Sequence, residues 1–422
     1  MNAKILIATA ILITILAAQE VRVPILVDLS HGEFTKGLDF WVNRTANPLA
    51  IVDFAQLHIL VPPGASPDPV LTRINASRLA VFITGDLSTI DLSRFKVIIL
   101  GQPSKPLTDA ELSALRKWFY SGGKVLWCAA DSDYPAQGSE ESQIVCNDVA
   151  EYLGARLRID YVSVEDPRYN IGGAGYRVIG VIDPPPQLGY LGFLTNRVMF
   201  HGPGAVAVVL PDGRWVPATS PEAAALGNVY VIAKTTPNGI IVEHRTSADG
   251  RGRDGRAHKA GDRGEFALMA MEFLNGSVLI MSGETPYGGY EPMVASSYRG
   301  VELDGHRFLR NILLWATGNY RELSTMVSQI DYIQRLEKSV QDVASRLERL
   351  SEELKSTEAL YRLGGVENEL RALVDSLSKK LDVAIAEANN AKVVAFVGTA
   401  LALVFAIAAT VLAVRKGGGR RE

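Results

Sequence analysis

Apolar positions along the chain fall into three patterns. From about residue 21 to 319, short continuous apolar runs alternate with amphipathic stretches. From 320 to 391, apolar residues recur at alternating steps of three and four, and a long uninterrupted apolar run lies near each end. In the first pattern, residues 23–29 (VPILVDL) read as a parallel strand buried on both faces. Residues 56–61, 79–84, 96–100 and 124–129 read as further strands. A helix precedes the last of these. Thr108 is its N-cap, Asp109 and Glu111 fill the first turn, and Leu112, Leu115, Trp118 and Phe119 share one face. Thr108-x-x-Glu111 is a capping box, and Gly122-Gly123 supplies the stop. Strand, helix, Gly-Gly and strand make a right-handed crossover, which predicts an α/β fold with a doubly wound, mostly parallel, flavodoxin-like sheet.

Beyond this core, shorter strand candidates at 177–182, 205–210, 229–234 and 240–244 are separated by Pro184-Pro185-Pro186 and Pro211-Asp212-Gly213. They predict a β-rich insertion or subdomain. Residues 277–282 (SVLIMS) return as a buried strand, and an amphipathic helix at 304–317 closes the domain. Segment 245–265 is rich in Gly, Arg and Lys, carries His258, and has no aliphatic residue larger than alanine before Phe266. It reads as a mobile surface loop, or as a basic lasso for phosphate-bearing glycans or lipid headgroups.

Ile333, Leu336, Val340, Val343, Leu347, Leu350 and Leu354 form one seam, and Val366, Leu370, Leu373, Leu377 and Leu381 another. Seams two-sevenths wide predict a long helical coiled-coil stalk that pairs with another chain, so a homo-oligomer, rather than a helix packed on its own head. Gly364-Gly365 leaves open a straight stalk of roughly 100 Å or a helical hairpin. Residues 393–414 carry no charge and no proline, and Arg415, Lys416, Arg420 and Arg421 follow at once. This predicts one transmembrane helix with a cytoplasmic tail. The apolar run 5–18 behind Lys4 reads as a secretory signal. The plan is therefore a signal peptide (1–18), an α/β core (19–160), a β-rich insertion (161–275), a return strand and helix (276–319), a stalk (320–391), a membrane helix (393–414) and a basic tail (415–422). It describes a single-pass cell-membrane protein with its N-terminal domain extracellular or lumenal.

Charge removes one class of partner. The chain has 43 Lys and Arg against 46 Asp and Glu, a net charge of −3, which argues against nucleic acid. With 47% hydrophobic and 21% charged residues, the 422-residue chain can bury a core, so wholesale disorder is excluded. Its two cysteines exclude a disulfide-dense scaffold. Mean hydropathy is +0.11, raised largely by the two apolar ends.

The run Phe95-Lys-Val-Ile-Ile-Leu-Gly-Gln-Pro-Ser, then Leu107-Thr-Asp-Ala-Glu-Leu and Trp118-Phe-Tyr-Ser-Gly-Gly-Lys-Val-Leu-Trp, resembles the core of class I glutamine-amidotransferase-like domains. Val198-Met-Phe-His-Gly-Pro-Gly, Gly276-Ser-Val-Leu-Ile-Met-Ser-Gly-Glu and the helix with Phe308, Leu309, Ile312, Leu313 and Trp315 are similar to its non-catalytic branch. That branch includes auxiliary subunits of gliding-type ABC transporters, intraflagellar-transport proteins and an accessory subunit of eukaryotic oligosaccharyltransferase. The resemblance spans roughly residues 23–317 as a pattern of elements. Catalytic members place their nucleophile on a Gly-x-Cys-x-Gly elbow, and neither Cys128 nor Cys146 has flanking glycines. Those two cysteines are either a disulfide or two free buried thiols.

The most suggestive polar cluster is Asp28, Ser30, His31 and Glu33, just beyond the first strand, where ligands enter doubly wound sheets. Asp131 and Asp133, and Glu284 and Tyr287, follow other strands and could face the same crevice; alternatively these groups serve the local backbone. No metal and no cofactor are expected. The six histidines lack paired spacing, and Gly172-Gly-Ala-Gly175 lacks the lysine and helix of a phosphate loop. Asn43, Asn75 and Asn275 open glycosylation sequons. The expected function is a non-enzymatic accessory or scaffold subunit of a membrane complex of transporter or glycan-transfer type. The alternatives are an extracytoplasmic receptor using the crevice and a hydrolase of unknown substrate.

Overall fold

The computed structural model describes residues 22–42, 51, 54–66, 68–132, 139–242, 254–287 and 293–319, with isolated residues between 338 and 372. The chain divides into two units, Met1–Leu323 and Ser324–Glu422, and few residues of the second are described.

In the first unit, strands β1 (Val23–Asp28), β2 (Ala55–Val61), β3 (Ala80–Thr84), β4 (Val97–Gly101) and β5 (Val125–Ala129) alternate with helices α1 (Pro69–Ser77) and α2 (Asp109–Phe119). Helix α3 (Ser139–Tyr152) comes next, then β6 (Leu157–Glu165), β7 (Asn170–Ile171), β8 (Ala174–Ile182), β9 (Val198–His201), β10 (Gly204–Val209) and β11 (Trp215–Pro217). After the short α4 (Pro221–Ala224) come β12 (Val229–Lys234), β13 (Gly239–Val242), β14 (Arg263–Gly264), β15 (Ala267–Leu274) and β16 (Ser277–Ser282). A small hairpin of β17 (Ser297–Tyr298) and β18 (Val301–Glu302) precedes α5 (Gly305–Ala316).

The main sheet runs β3-β2-β1-β4-β5-β16-β15-β12-β8-β7, with β9 also paired to β8. From β3 to β16 every pairing is parallel. Asp28, the last residue of β1, stands between Leu60 of β2 and Leu100 of β4. Both faces of this half are covered, which is why its strands are continuously apolar. Ile25, Val27, Ile99 and Trp127 pack with Phe308 and Ile312 of α5. On the other face, Leu26, Ile98, Leu100 and Leu126 pack with Leu115, Trp118 and Phe119 of α2 and Val145 and Val149 of α3.

The mostly parallel sheet expected from the sequence is corrected. From β16 onward every pairing of the main sheet is antiparallel. A second sheet, β11-β10-β6-β13-β14, is antiparallel throughout. The fold is therefore β-rich and mixed. Two strands account for much of the difference. β15 reads ALMAMEFL, a helix-forming composition overridden by pairing on both sides. β6 reads LRIDYVSVE, whose Arg158 and Asp160 disguise a buried strand.

The long stalk and the membrane span are corrected as well. The longest helix among the described residues is α3, with 14 residues. No helix among them is long and apolar enough to cross a membrane, so a coiled-coil stalk, a single-span partner role and a single-pass localisation lose their structural basis. Residues 393–414, 1–18 and nearly all of 320–391 lie outside the described residues. The mobile loop expected at 245–265 is corrected over its second half. There β14 pairs with β13, and His258 is buried. Residues 243–253 lie outside the described residues.

Candidate functional site

β1 ends at Asp28, and the chain then turns across the carboxyl ends of the parallel strands. Asp28 Oδ1 accepts from the Ser30 amide (2.9 Å) and the Ser30 hydroxyl (2.6 Å), an Asx-type turn that swings the next residues back over the sheet. Its other oxygen, Oδ2, lies 2.7 Å from His31 Nδ1. The amides of Ser104 and Lys105 donate to the His31 carbonyl and tie this turn to the loop after β4. His31 Nε2 lies 3.1 Å from Glu111 Oε1. Glu111 is the capping-box residue of α2, and its Oε2 accepts from the Thr108 amide and hydroxyl. One carboxylate thus caps a helix with one oxygen and holds a histidine with the other.

Glu33 completes the cluster. Its Oε2 accepts the His31 amide at 2.9 Å, while Oε1 is buried with no hydrogen-bond partner. Asp28, His31 and Glu33 are 0%, 5% and 8% exposed, so the site is closed to anything larger than a small ion or a water. Tyr287 lies fully buried beside it, its hydroxyl donating to the Gly101 carbonyl at 3.3 Å. A Cβ at Gly101 would run into that phenol and the Thr285 hydroxyl, so the close approach requires glycine.

Burial and mutual repulsion set the protonation states. Burial, then the Asp28 charge, pushes the Glu33 carboxyl well above its ordinary value. Burial would lower His31, but the hydrogen bond and charge of Asp28, aided by Glu111, outweigh it and leave the imidazole raised. Burial, then the Glu33 and Asp28 charges, drives the Tyr287 phenol well above its ordinary value, so it stays a neutral donor.

Asp28, Ser30, His31, Glu33 and Tyr287 are thus gathered near one strand end, together with Glu111, which the sequence marks only as a cap. Glu284 is buried and committed to β9: its carboxylate accepts the His201 amide at 3.2 Å and the Thr285 amide at 2.8 Å. Asp131, also buried, sits where the chain bridges to Pro203. Asp133 lies outside the described residues. Sequence reasoning misses Gln102 altogether. It is fully buried just past β4, holds φ of +59°, and neither polar atom of its side-chain amide has a hydrogen-bond partner. A left-handed non-glycine residue gives no signal in sequence.

Cys128 of β5 and Cys146 of α3 form a disulfide with Cα atoms 5.7 Å apart, so neither is a free thiol. Asn75 is exposed on α1, and Asn43 lies outside the described residues. Asn275 and Gly276 have φ of 49° and 76° and form the two-residue turn of the β15–β16 hairpin.

No family model matches the chain, and no curated protein matches it significantly. Among solved structures, the mmIFT52 N-terminal domain aligns with a TM-score of 0.39 and 10% identity, over 70% of this chain and 97% of that one. A likeness that distant carries no argument about function.

Proposed function

We propose that this protein is a non-enzymatic accessory or scaffold protein whose α/β unit holds a partner protein in a larger assembly. The observation that carries the reading is the closed strand-end site. Where doubly wound sheets present reactive groups, His31 is held on both ring nitrogens by carboxylates and is buried. The chain's two cysteines are joined to each other, which leaves no thiol for attack. The resemblance to the non-catalytic amidotransferase-like branch supports the same reading.

The test has two arms. The full chain, isolated under mild conditions from its own host, should run in light scattering well above its 45.7 kDa and carry a second polypeptide at fixed ratio. The same preparation should turn over no ester, amide, phosphoester or glycoside reporter in a manner lost on His31→Gln. Recovery of the lone chain, or His31-dependent turnover, would overturn the reading.

A further inference from the structure

We propose that Asp28, His31 and Glu33 form a binding site for one divalent transition-metal cation of the zinc class, with Glu111 as the positioning residue behind His31. One donor atom from each of the three residues lies within 4.8 Å of the other two, and all three residues are buried. A second observation points into the same place. Glu33 is 8% exposed, and its Oε1 has no hydrogen-bond partner although it belongs to the carboxylate that completes the cluster. A buried carboxyl oxygen left unpaired beside a second carboxylate is costly unless a proton or a cation takes it up.

The arrangement of the histidine selects the ligand atom. Nε2 faces Glu111 Oε1 at 3.1 Å, so its N–H is held by a carboxylate that is itself fixed on the Thr108 cap. A carboxylate holding the far nitrogen is the support that metal-bound histidines use to fix their tautomer. Nδ1 faces Asp28 Oδ2 at 2.7 Å, on the side of the three-residue cluster. The cation displaces the Nδ1 proton and, where the Glu33 carboxyl is protonated, that proton as well. These pass to solvent, and Asp28 Oδ2, His31 Nδ1 and a Glu33 oxygen are drawn to bonds of about 2.0–2.2 Å. Ser30 Oγ, 3.1 Å from Nδ1, is a further donor at hand. One imidazole with two carboxylates suits zinc and its neighbours, whereas magnesium and calcium favour all-oxygen sets.

The experiment uses the full chain, stripped with a chelator and titrated calorimetrically with zinc, with bound metal counted by elemental analysis. One zinc per chain is expected, with magnesium at least 100-fold weaker. Glu33→Gln preserves shape and still accepts the His31 amide, and it should weaken zinc at least tenfold. Glu111→Gln should weaken it about 10- to 100-fold by loosening the imidazole. Saturating zinc should raise the unfolding temperature of the unsubstituted chain and not that of Glu33→Gln, whose folding is checked without metal by circular dichroism. Absence of bound zinc, or zinc affinity within twofold of the parent in both Glu33→Gln and His31→Gln, would overturn the proposal.

Discussion

Asp160 is a fully buried carboxylate in the middle of β6. Its oxygens accept the amides of Tyr161, Arg256, Ala257 and His258 and face the His258 ring nitrogen Nδ1 at 2.9 Å. Burial alone would raise its pKa, but the hydrogen bond and charge of His258 with those amides hold it below the usual carboxylate range. Stability from a depressed carboxylate is fully present above its unfolded pKa, about 3.9, and is lost as pH falls through the lower folded value. Asp160→Asn should cost at least about 2 kcal/mol at pH 7, and the gap to the parent should narrow below about pH 4 in urea titrations. The sequence shows His258 in a polar, glycine-rich stretch, but its partner lies almost a hundred positions earlier, and no local pattern reports such a pairing. By contrast, the Asp28, His31 and Glu33 grouping is legible because one turn brings close neighbours together. Glu111 is half legible: the capping box reveals one oxygen and conceals the other.

Among the elements, the clearest are those whose signal is local. The α2 cap and its Gly-Gly stop come from short-range chemistry, and so do the apolar strands β1, β4, β5 and β16. β15 is hidden because Ala, Leu, Met and Glu favour helix, and only pairing to β12 and β16 makes it a strand. The disulfide ties two elements together, β5 and α3, across 18 positions of chain. Replacing both cysteines with alanine should cost about 3 kcal/mol, seen as a lower urea midpoint with a slope that rises, because the unfolded chain without the cross-link exposes more surface. A fall below about 0.5 kcal/mol would mean that packing around Leu126, Val145 and Val149 already fixes that contact.

Across the whole first unit, protection should track sheet position. Hydrogen exchange measured by mass spectrometry should show the slowest amides in β1, β4, β5 and β16, which are paired on both sides, and faster ones in the edge strands β3 and β7. Uniform protection from β3 to β7 would contradict this order.

That same sheet order has a consequence for how the protein is made. β5 and β16 are neighbours in parallel register, yet about 150 residues separate them, including the entire second sheet. At roughly 5–20 residues per second, β5 leaves the ribosome some 8–30 s before its partner exists. During that interval the outer edge of Val125–Ala129, five apolar residues, has unpaired backbone groups that any other strand could occupy. Synthesis therefore sets the order of assembly: the parallel half cannot close until Ser282 emerges, and whatever shields β5 until then determines how much of the chain reaches its native state.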